Sequence, residues 1–270
     1  MAPVPVIVPP RTAHTHTVVF LHGRGDEAEN FSRSLSRWTN SEHRTLFDVF
    51  PSFRWVFPRC EKAASFSAGG DKVSQWFDIW NVRDFSDREE IQVYGLKESV
   101  KLIRRVLAVE AKILKGRWDR IVLAGFSQGA ATATHILLNQ TVPTEADDGI
   151  KLTGGLGAYM GFSCRMPFPG RDLAGTRKVL GLEDVPDDDE VIRKTPILLE
   201  HGDSDEVVLI QNGRVLRDTL REFGAQICWK EYPDRGHWLD APDGTDDCIE
   251  FLTHALQLSS LTDDDTMDLS

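Results

Sequence analysis

The run Ile121-Val122-Leu123-Ala124-Gly125-Phe126-Ser127-Gln128-Gly129-Ala130 constrains this chain more than any other stretch. Four apolar residues lead without a break into G-x-S-x-G, and an Ala-rich, helix-compatible run from Ala131 to Leu138 leaves it. Such an apolar run predicts a strand buried on both faces, as in a parallel sheet covered by helices. A direct turn from that strand into a helix crowds its flanks, which two glycines relieve, and strains the backbone of the serine between them. It lifts the serine hydroxyl clear of the sheet edge and aims the backbone N–H of Gln128 where an oxyanion would form. A five-residue pattern can arise by accident; the strand before it and the helix after it give it meaning. Ser127 is the candidate nucleophile and Gln128 a candidate oxyanion donor.

The same alternation recurs along the chain. Thr17 to Leu21 is an apolar, β-branched strand ending in His22-Gly23-Arg24-Gly25-Asp26, a Gly-rich end that is either a plain strand-to-helix turn or the source of a second oxyanion donor, assigned to the Arg24 backbone. Phe31, Leu35 and Trp38 mark a helix within residues 27–38, and Trp55 to Pro58 the next strand. A polar loop (59–75) precedes the aromatic cluster Trp76-Phe77-Asp78-Ile79-Trp80, which either packs or walls a pocket. Ser86-Asp87-Arg88-Glu89 resembles a capping box opening a helix with Leu96, Val100, Ile103, Leu107 and Leu114 on one face, ended by Gly116. Strands follow at Gly154 to Cys164, Thr195 to Glu200 and Ile227 to Trp229, with a helix marked by Val215, Leu216, Leu220 and Phe223 and a last one over 244–257. The pattern predicts an α/β fold, a mostly parallel central sheet covered by helices on both faces. With 270 residues and 41% hydrophobic content it fits one domain over 1–257, with a polar insertion at 165–194 near the site and a disordered acidic tail at 258–270.

A serine needs a base to take its proton, and the base needs a carboxylate to orient it. In this arrangement they follow in the order serine, acid, histidine, each in a loop after a strand. Of the eight histidines, His237 stands downstream in a Gly-flanked loop between the last strand and the last helix, and is the candidate base. His14 and His16 precede the first core strand, His43 lies in a polar stretch, and His135 and His254 fall within helices, where histidine is structural or solvated. His201 also ends a strand, but it precedes the acid and is read as serving the turn. The acid is Asp203 or Asp205; spacing does not choose, although Asp205 sits further into the loop, where a side chain can turn back.

The formal net charge of −11 speaks against a basic patch for nucleic acid or an anionic membrane surface. Much of it is local, in Glu183, Asp184 and Asp187 to Glu190, and again in Asp263, Asp264, Asp265 and Asp268, both read as solvated. The four cysteines, Cys60, Cys164, Cys228 and Cys248, are widely separated and lack metal-ligand spacing. They are expected to be reduced, buried thiols, without a disulfide framework or a metal. The first ten residues lack a basic region and are interrupted by prolines, unlike a secretory signal, and no apolar stretch is long enough to span a bilayer. The expected compartment is cytoplasmic, with no integral membrane association and no nucleic-acid partner.

Gly125-Phe126-Ser127-Gln128-Gly129, His22-Gly23-Arg24-Gly25-Asp26, Trp76-Phe77-Asp78-Ile79 and His201-Gly202-Asp203-Ser204-Asp205, followed by His237, resemble the phospholipase/carboxylesterase family of α/β hydrolases. The resemblance covers about residues 5–257. It implies the α/β-hydrolase fold and an acyl-protein thioesterase-like or carboxylesterase-like enzyme without a cofactor. Its substrates would be esters or thioesters, from lipidated proteins to lysophospholipids. It also implies Ser127, Asp205 rather than Asp203, and His237 as the triad, Arg24 and Gln128 as backbone oxyanion donors, and Trp76 near the acyl pocket. Three departures bear on acyl-chain preference: Arg24 stands where thioesterases of the family usually carry Leu, the 165–194 stretch is long, and the 59–75 loop contains Gly and Lys. Within the class the alternative is a lysophospholipase or small-ester carboxylesterase; outside it, a non-catalytic binding protein on the same fold.

Overall fold

The structure, a computed structural model, describes residues 3–258. Val6–Val8 form strand β1 and His16–Leu21 form β2, whose Val18, Val19, Phe20 and Leu21 are wholly buried. Then come α1 (Ala28–Leu35), the short α2 (Leu46–Val49) and β3 (Phe53–Phe57). β4 (Lys62–Ala64) and β5 (Lys72–Ser74) pair as a separate antiparallel ribbon, followed by the long α3 (Gln92–Ile113). β6 (Ile121–Phe126) passes through Ser127 alone into α4 (Gln128–Leu138). The remaining elements are β7 (Ala158–Phe162), α5 (Leu173–Leu180), α6 (Glu190–Lys194), β8 (Ile197–Gly202), α7 (Ile210–Glu222), β9 (Ile227–Tyr232) and α8 (Asp243–Ala255).

The main sheet runs in the order β1-β3-β2-β6-β7-β8-β9, with β1 antiparallel at one edge and all other neighbours parallel. Side chains alternate along a strand, so consecutive apolar residues feed opposite faces. Val19, Leu21, Ile121 and Leu123 join the core under α3, α4, α5 and α7, whereas Val18, Phe20, Val122 and Ala124 join the core under α1, α2 and α8. This two-sided burial is why the strands read as unbroken apolar runs. The chain moves outward one way from β2 to β3 and the other way from β6 to β7, so strand order reverses between β2 and β6. In open α/β sheets ligands bind beyond the carboxyl ends of the strands at such a reversal. Leu21 pairs with Gly125, which brings the loop holding Arg24 and the turn holding Ser127 to the same level there.

Several expectations are corrected. The Ser86 hydroxyl bonds Asp84 at 2.6 Å instead of capping a helix, and a 3-10 turn at Glu89–Ile91 precedes α3. Gly116 does close that helix, its N–H returning to Ala111 O at 2.8 Å. Trp38 lies beyond α1 although it is buried, and Val215 faces solvent while Leu216 and Leu220 face the sheet. The 165–194 stretch is not polar throughout, because Met166, Phe168, Leu180, Val191 and Ile192 are buried in the core under α3 and α4. Arg177 gathers its acidic loop by donating to the carbonyls of Pro186 and Asp188 at 2.7 and 2.8 Å. All four cysteines are free, but only Cys164 and Cys248 are buried; Cys60 is half-buried and Cys228 exposed. The acidic tail, from residue 259 onward, lies outside the described residues. Among the described residues no helix is long and apolar enough to cross a membrane.

Candidate active site

Ser127 has φ 53° and ψ −121°, a left-handed conformation that costs a non-glycine residue about 1–3 kcal/mol and clusters at active sites. Its N–H donates to Phe162 O on β7 at 2.8 Å, which ties the turn to the neighbouring strand. The flanking glycines are there for close approach. A Cβ on Gly125 would come within 2.6 Å of the Ala130 backbone, and one on Gly129 would press on the carbonyl oxygens of Leu21 and His22. The helix can therefore start directly above β2 and β6 only because both positions lack a side chain.

The structure brings Ser127, His237 and Asp205 into one hydrogen-bonded line. Ser127 Oγ donates to His237 Nε2 at 2.9 Å, and His237 Nδ1 donates to Asp205 Oδ2 at 2.7 Å. A carboxylate facing Nδ1 keeps the proton on that nitrogen and leaves Nε2 free to accept. Asp205 is 2% exposed, and its other oxygen accepts the backbone N–H groups of Val207 and Val208 at 2.9 and 2.8 Å. Burial alone would raise the Asp205 carboxyl. Hydrogen bonds from His201 and His237 outweigh it and hold the group well below the usual carboxylate range. Asp203 turns elsewhere, accepting the Asp234 N–H at 2.8 Å.

His201 has a part that its position at a strand end did not reveal. Its Nε2 donates to Val208 O at 2.7 Å and lies 3.3 Å from Asp205 Oδ2, so it braces the acid from behind. Arg24 and Gln128 line the same cavity as Ser127, and the backbone N–H of neither has a hydrogen-bond partner among the described residues. The Gln128 side chain accepts the Trp76 N–H at 2.9 Å and donates to Phe77 O at 2.8 Å, fastening the aromatic loop to the start of α4. The Arg24 side chain points away from the serine. Its guanidinium donates to Ser65, Ser67 and Gln75 at 2.8, 2.8 and 3.1 Å, which pins the loop that carries the β4–β5 ribbon. A backbone donor thus coexists with a side chain that serves as a strut.

The cavity over Ser127 holds about 220 Å³ and is walled mainly by Phe77, Ile79, Val82, Phe85, Phe126 and Arg165. Trp76 does not line it. The indole is 2% exposed and its Nε1 donates to His22 O at 2.8 Å, so it supports the β2 loop from beneath while its neighbours Phe77 and Ile79 form the wall. Arg165 was not singled out from the sequence. The signal that could have found it is a lone arginine among Cys164, Met166 and Pro167 directly after a buried strand. Among the described residues no group of His, Cys, Asp and Glu stands together as metal ligands.

Residues 2–255 match the profile of the family described as Phospholipase/Carboxylesterase. Acyl-protein thioesterase 1 of Aspergillus fumigatus is 30% identical to the chain, the match covering 93% of each. Acyl-protein thioesterase 1 of Gibberella zeae is 27% identical over 93% of this chain and 95% of the relative. In fold, the chain is similar to the crystal structure of Zea mays acyl-protein thioesterase 2, with a TM-score of 0.70 at 24% identity, covering 93% of this chain and 98% of that one.

Proposed function

This chain belongs to the phospholipase/carboxylesterase family of α/β hydrolases and is a serine hydrolase of carboxylic esters and thioesters; on that premise we propose that it works through an acyl-enzyme on Ser127. The observation that supports this most is the unbroken line from the serine hydroxyl through His237 to Asp205, with bonds of 2.9 and 2.7 Å. His237 Nε2 takes the Ser127 proton as Oγ attacks the substrate carbonyl, then passes that proton to the departing alcohol or thiol. A water gives a proton to the same nitrogen and attacks the acyl carbon, and as the bond to Oγ breaks His237 returns that proton to Ser127 and the acid is released. Asp205 stays ionised and stabilises the imidazolium that forms in each half. The N–H groups of Arg24 and Gln128, free of other partners, receive the oxyanion. A non-catalytic binding protein would have no need of this line.

Two substrate readings have separate support. The named activity of the relatives favours thioesters of lipidated proteins. The cavity favours short acyl chains, because 220 Å³ is small beside the roughly 300–1,000 Å³ of pockets that enclose drug-sized ligands. A long acyl chain, of a protein thioester or a lysophospholipid, would have to leave the cavity along the surface. We place the enzyme in the cytosol, supported by four unpaired thiols. Rates on p-nitrophenyl esters of increasing chain length and on a palmitoyl thioester, with Ser127→Ala as the control, test both readings. The expected result is Ser127-dependent turnover that declines beyond short chains. A preference for the palmitoyl thioester would favour the lipidated-protein reading, and equal rates for wild type and Ser127→Ala would contradict the acyl-enzyme.

A further inference from the structure

The cavity beside Ser127 contains a charge that the chemistry above does not use. Arg165 follows β7, is 6% exposed and lines the cavity. A buried guanidinium without a carboxylate is unfavourable, so such a group ordinarily has an ion-pair partner. Arg165 has none among the described residues: its one side-chain hydrogen bond runs from Nη2 to Gln92 Oε1 at 2.7 Å. The acidic group that acts on it, Glu89, is occupied with the Phe168 N–H at 2.7 Å. The guanidinium lies 4.2 Å over the Phe85 ring and 5.7 Å from that of Phe77, both walls of the cavity. Nε and Nη1 make no hydrogen bond among the described residues, and the residue lines the cavity. Burial pushes the group down only to about 10, so it remains a cation at neutral pH.

A fixed cation with free donors, set among the apolar walls Phe77, Ile79, Val82 and Phe85 beside a nucleophile, matches an anion on the substrate. The leaving group must lie against His237 Nε2, which protonates it. Arg165 makes its contacts with Gln92, Phe85 and Phe77 and none with His237, and the Phe77 carbonyl accepts from the Gln128 side chain at 2.8 Å, so Arg165 is assigned to the acyl half of the cavity. Resting on the hydrolase function above, we propose that Arg165 recognises a carboxylate at the far end of the acyl chain, so that the preferred substrates are half-esters of short dicarboxylic acids. The cation would also disfavour a plain alkyl chain, which would have to desolvate it without replacing its lost hydration.

Three esters separate the outcomes. Monomethyl adipate carries the carboxylate on the acyl half, methyl hexanoate is its uncharged counterpart, and the hexanoyl ester of 3-hydroxypropanoate carries the charge on the leaving group. Acid release is followed for wild type, Arg165→Met and Arg165→Lys, with Ser127→Ala as the blank. The expected wild-type preference for monomethyl adipate over methyl hexanoate is about 10- to 100-fold in kcat/KM, the size of one charged hydrogen bond. That ratio should fall toward one in Arg165→Met and be partly restored in Arg165→Lys. A ratio unchanged while both rates drop would make Arg165 a strut to Gln92 and overturn the proposal. Preference for the 3-hydroxypropanoate ester would overturn the acyl-side assignment. Ser127-dependent hydrolysis with no preference in wild type sinks the proposal and leaves the hydrolase standing, whereas no Ser127-dependent hydrolysis of any ester sinks both. The wild-type ratio and the Lys variant decide the matter even if Arg165→Met fails to fold.

Discussion

Asp203 and Asp205 end the same strand two residues apart, and only one faces the imidazole. The two N–H groups of Val207 and Val208 turn Asp205 inward, while Asp203 is used by the Asp234 N–H. Sequence spacing left this choice open because it depends on how the loop after β8 folds back. Asp205→Asn should lower kcat by about 10⁴-fold, as expected when the acid can no longer hold the base in its working tautomer. Asp203→Asn should stay within a few-fold of wild type, and comparable losses in the two would contradict the assignment. The linkage has a definite sign. The folded-state Asp205 carboxyl is depressed, so its stabilisation is full above the ordinary aspartate range and is lost only as pH falls through the lower folded value. Asp205 therefore remains a carboxylate at every pH where the base can work. Ser127 and His237 were legible because motif and loop position point to them; His201 and Arg165 were not, since their roles arise from packing between distant segments.

The β6–turn–α4 unit was the most legible element, because two glycines and a run of small residues encode a helix seated tightly on its sheet. Gly129→Ala tests that seat. The added methyl would press on two backbone carbonyls, which cannot rotate away as a side chain can. Overpacking of this kind costs about 1–3 kcal/mol, so the melting temperature should fall by several degrees. An unchanged melting curve would show that α4 has room to shift. The β4–β5 ribbon was illegible for the opposite reason. Its strands are three residues long and β4 is wholly exposed, so no apolar alternation marks them. What holds the ribbon is polar: Arg24 bonded to Ser65, Ser67 and Gln75, and Ser65 bonded to Asp78 at 2.8 Å. Trp76 could be read as packing or as pocket wall from sequence, and its burial under the β2 loop favours packing.

Across the molecule, alternating strands and helices sufficed to read a mostly parallel sheet with two covered faces, but not the polar groups enclosed between them. Glu200 on β8 is the clearest case, buried beneath α8 with Cys248 Sγ donating to Oε1 at 3.3 Å and no partner for Oε2 among the described residues. Burial, added to by the charges of Asp247 and Asp240, raises its carboxyl well above the ordinary glutamate range. The folded state thus holds this proton more tightly than the unfolded chain does. Stability from this group declines as pH rises from the ordinary glutamate value toward the raised one. Glu200→Gln should melt higher than wild type at pH 8 and converge with it near pH 4, and parallel curves across that range would show Glu200 to be ionised in the fold. The function itself rests on one covalent event, and intact-mass analysis with peptide mapping after treatment with a fluorophosphonate detects it directly. The expected result is a single adduct on Ser127, absent in Ser127→Ala and much slower to form in His237→Ala. No adduct on folded wild-type protein, or one on another residue, would contradict a Ser127 hydrolase.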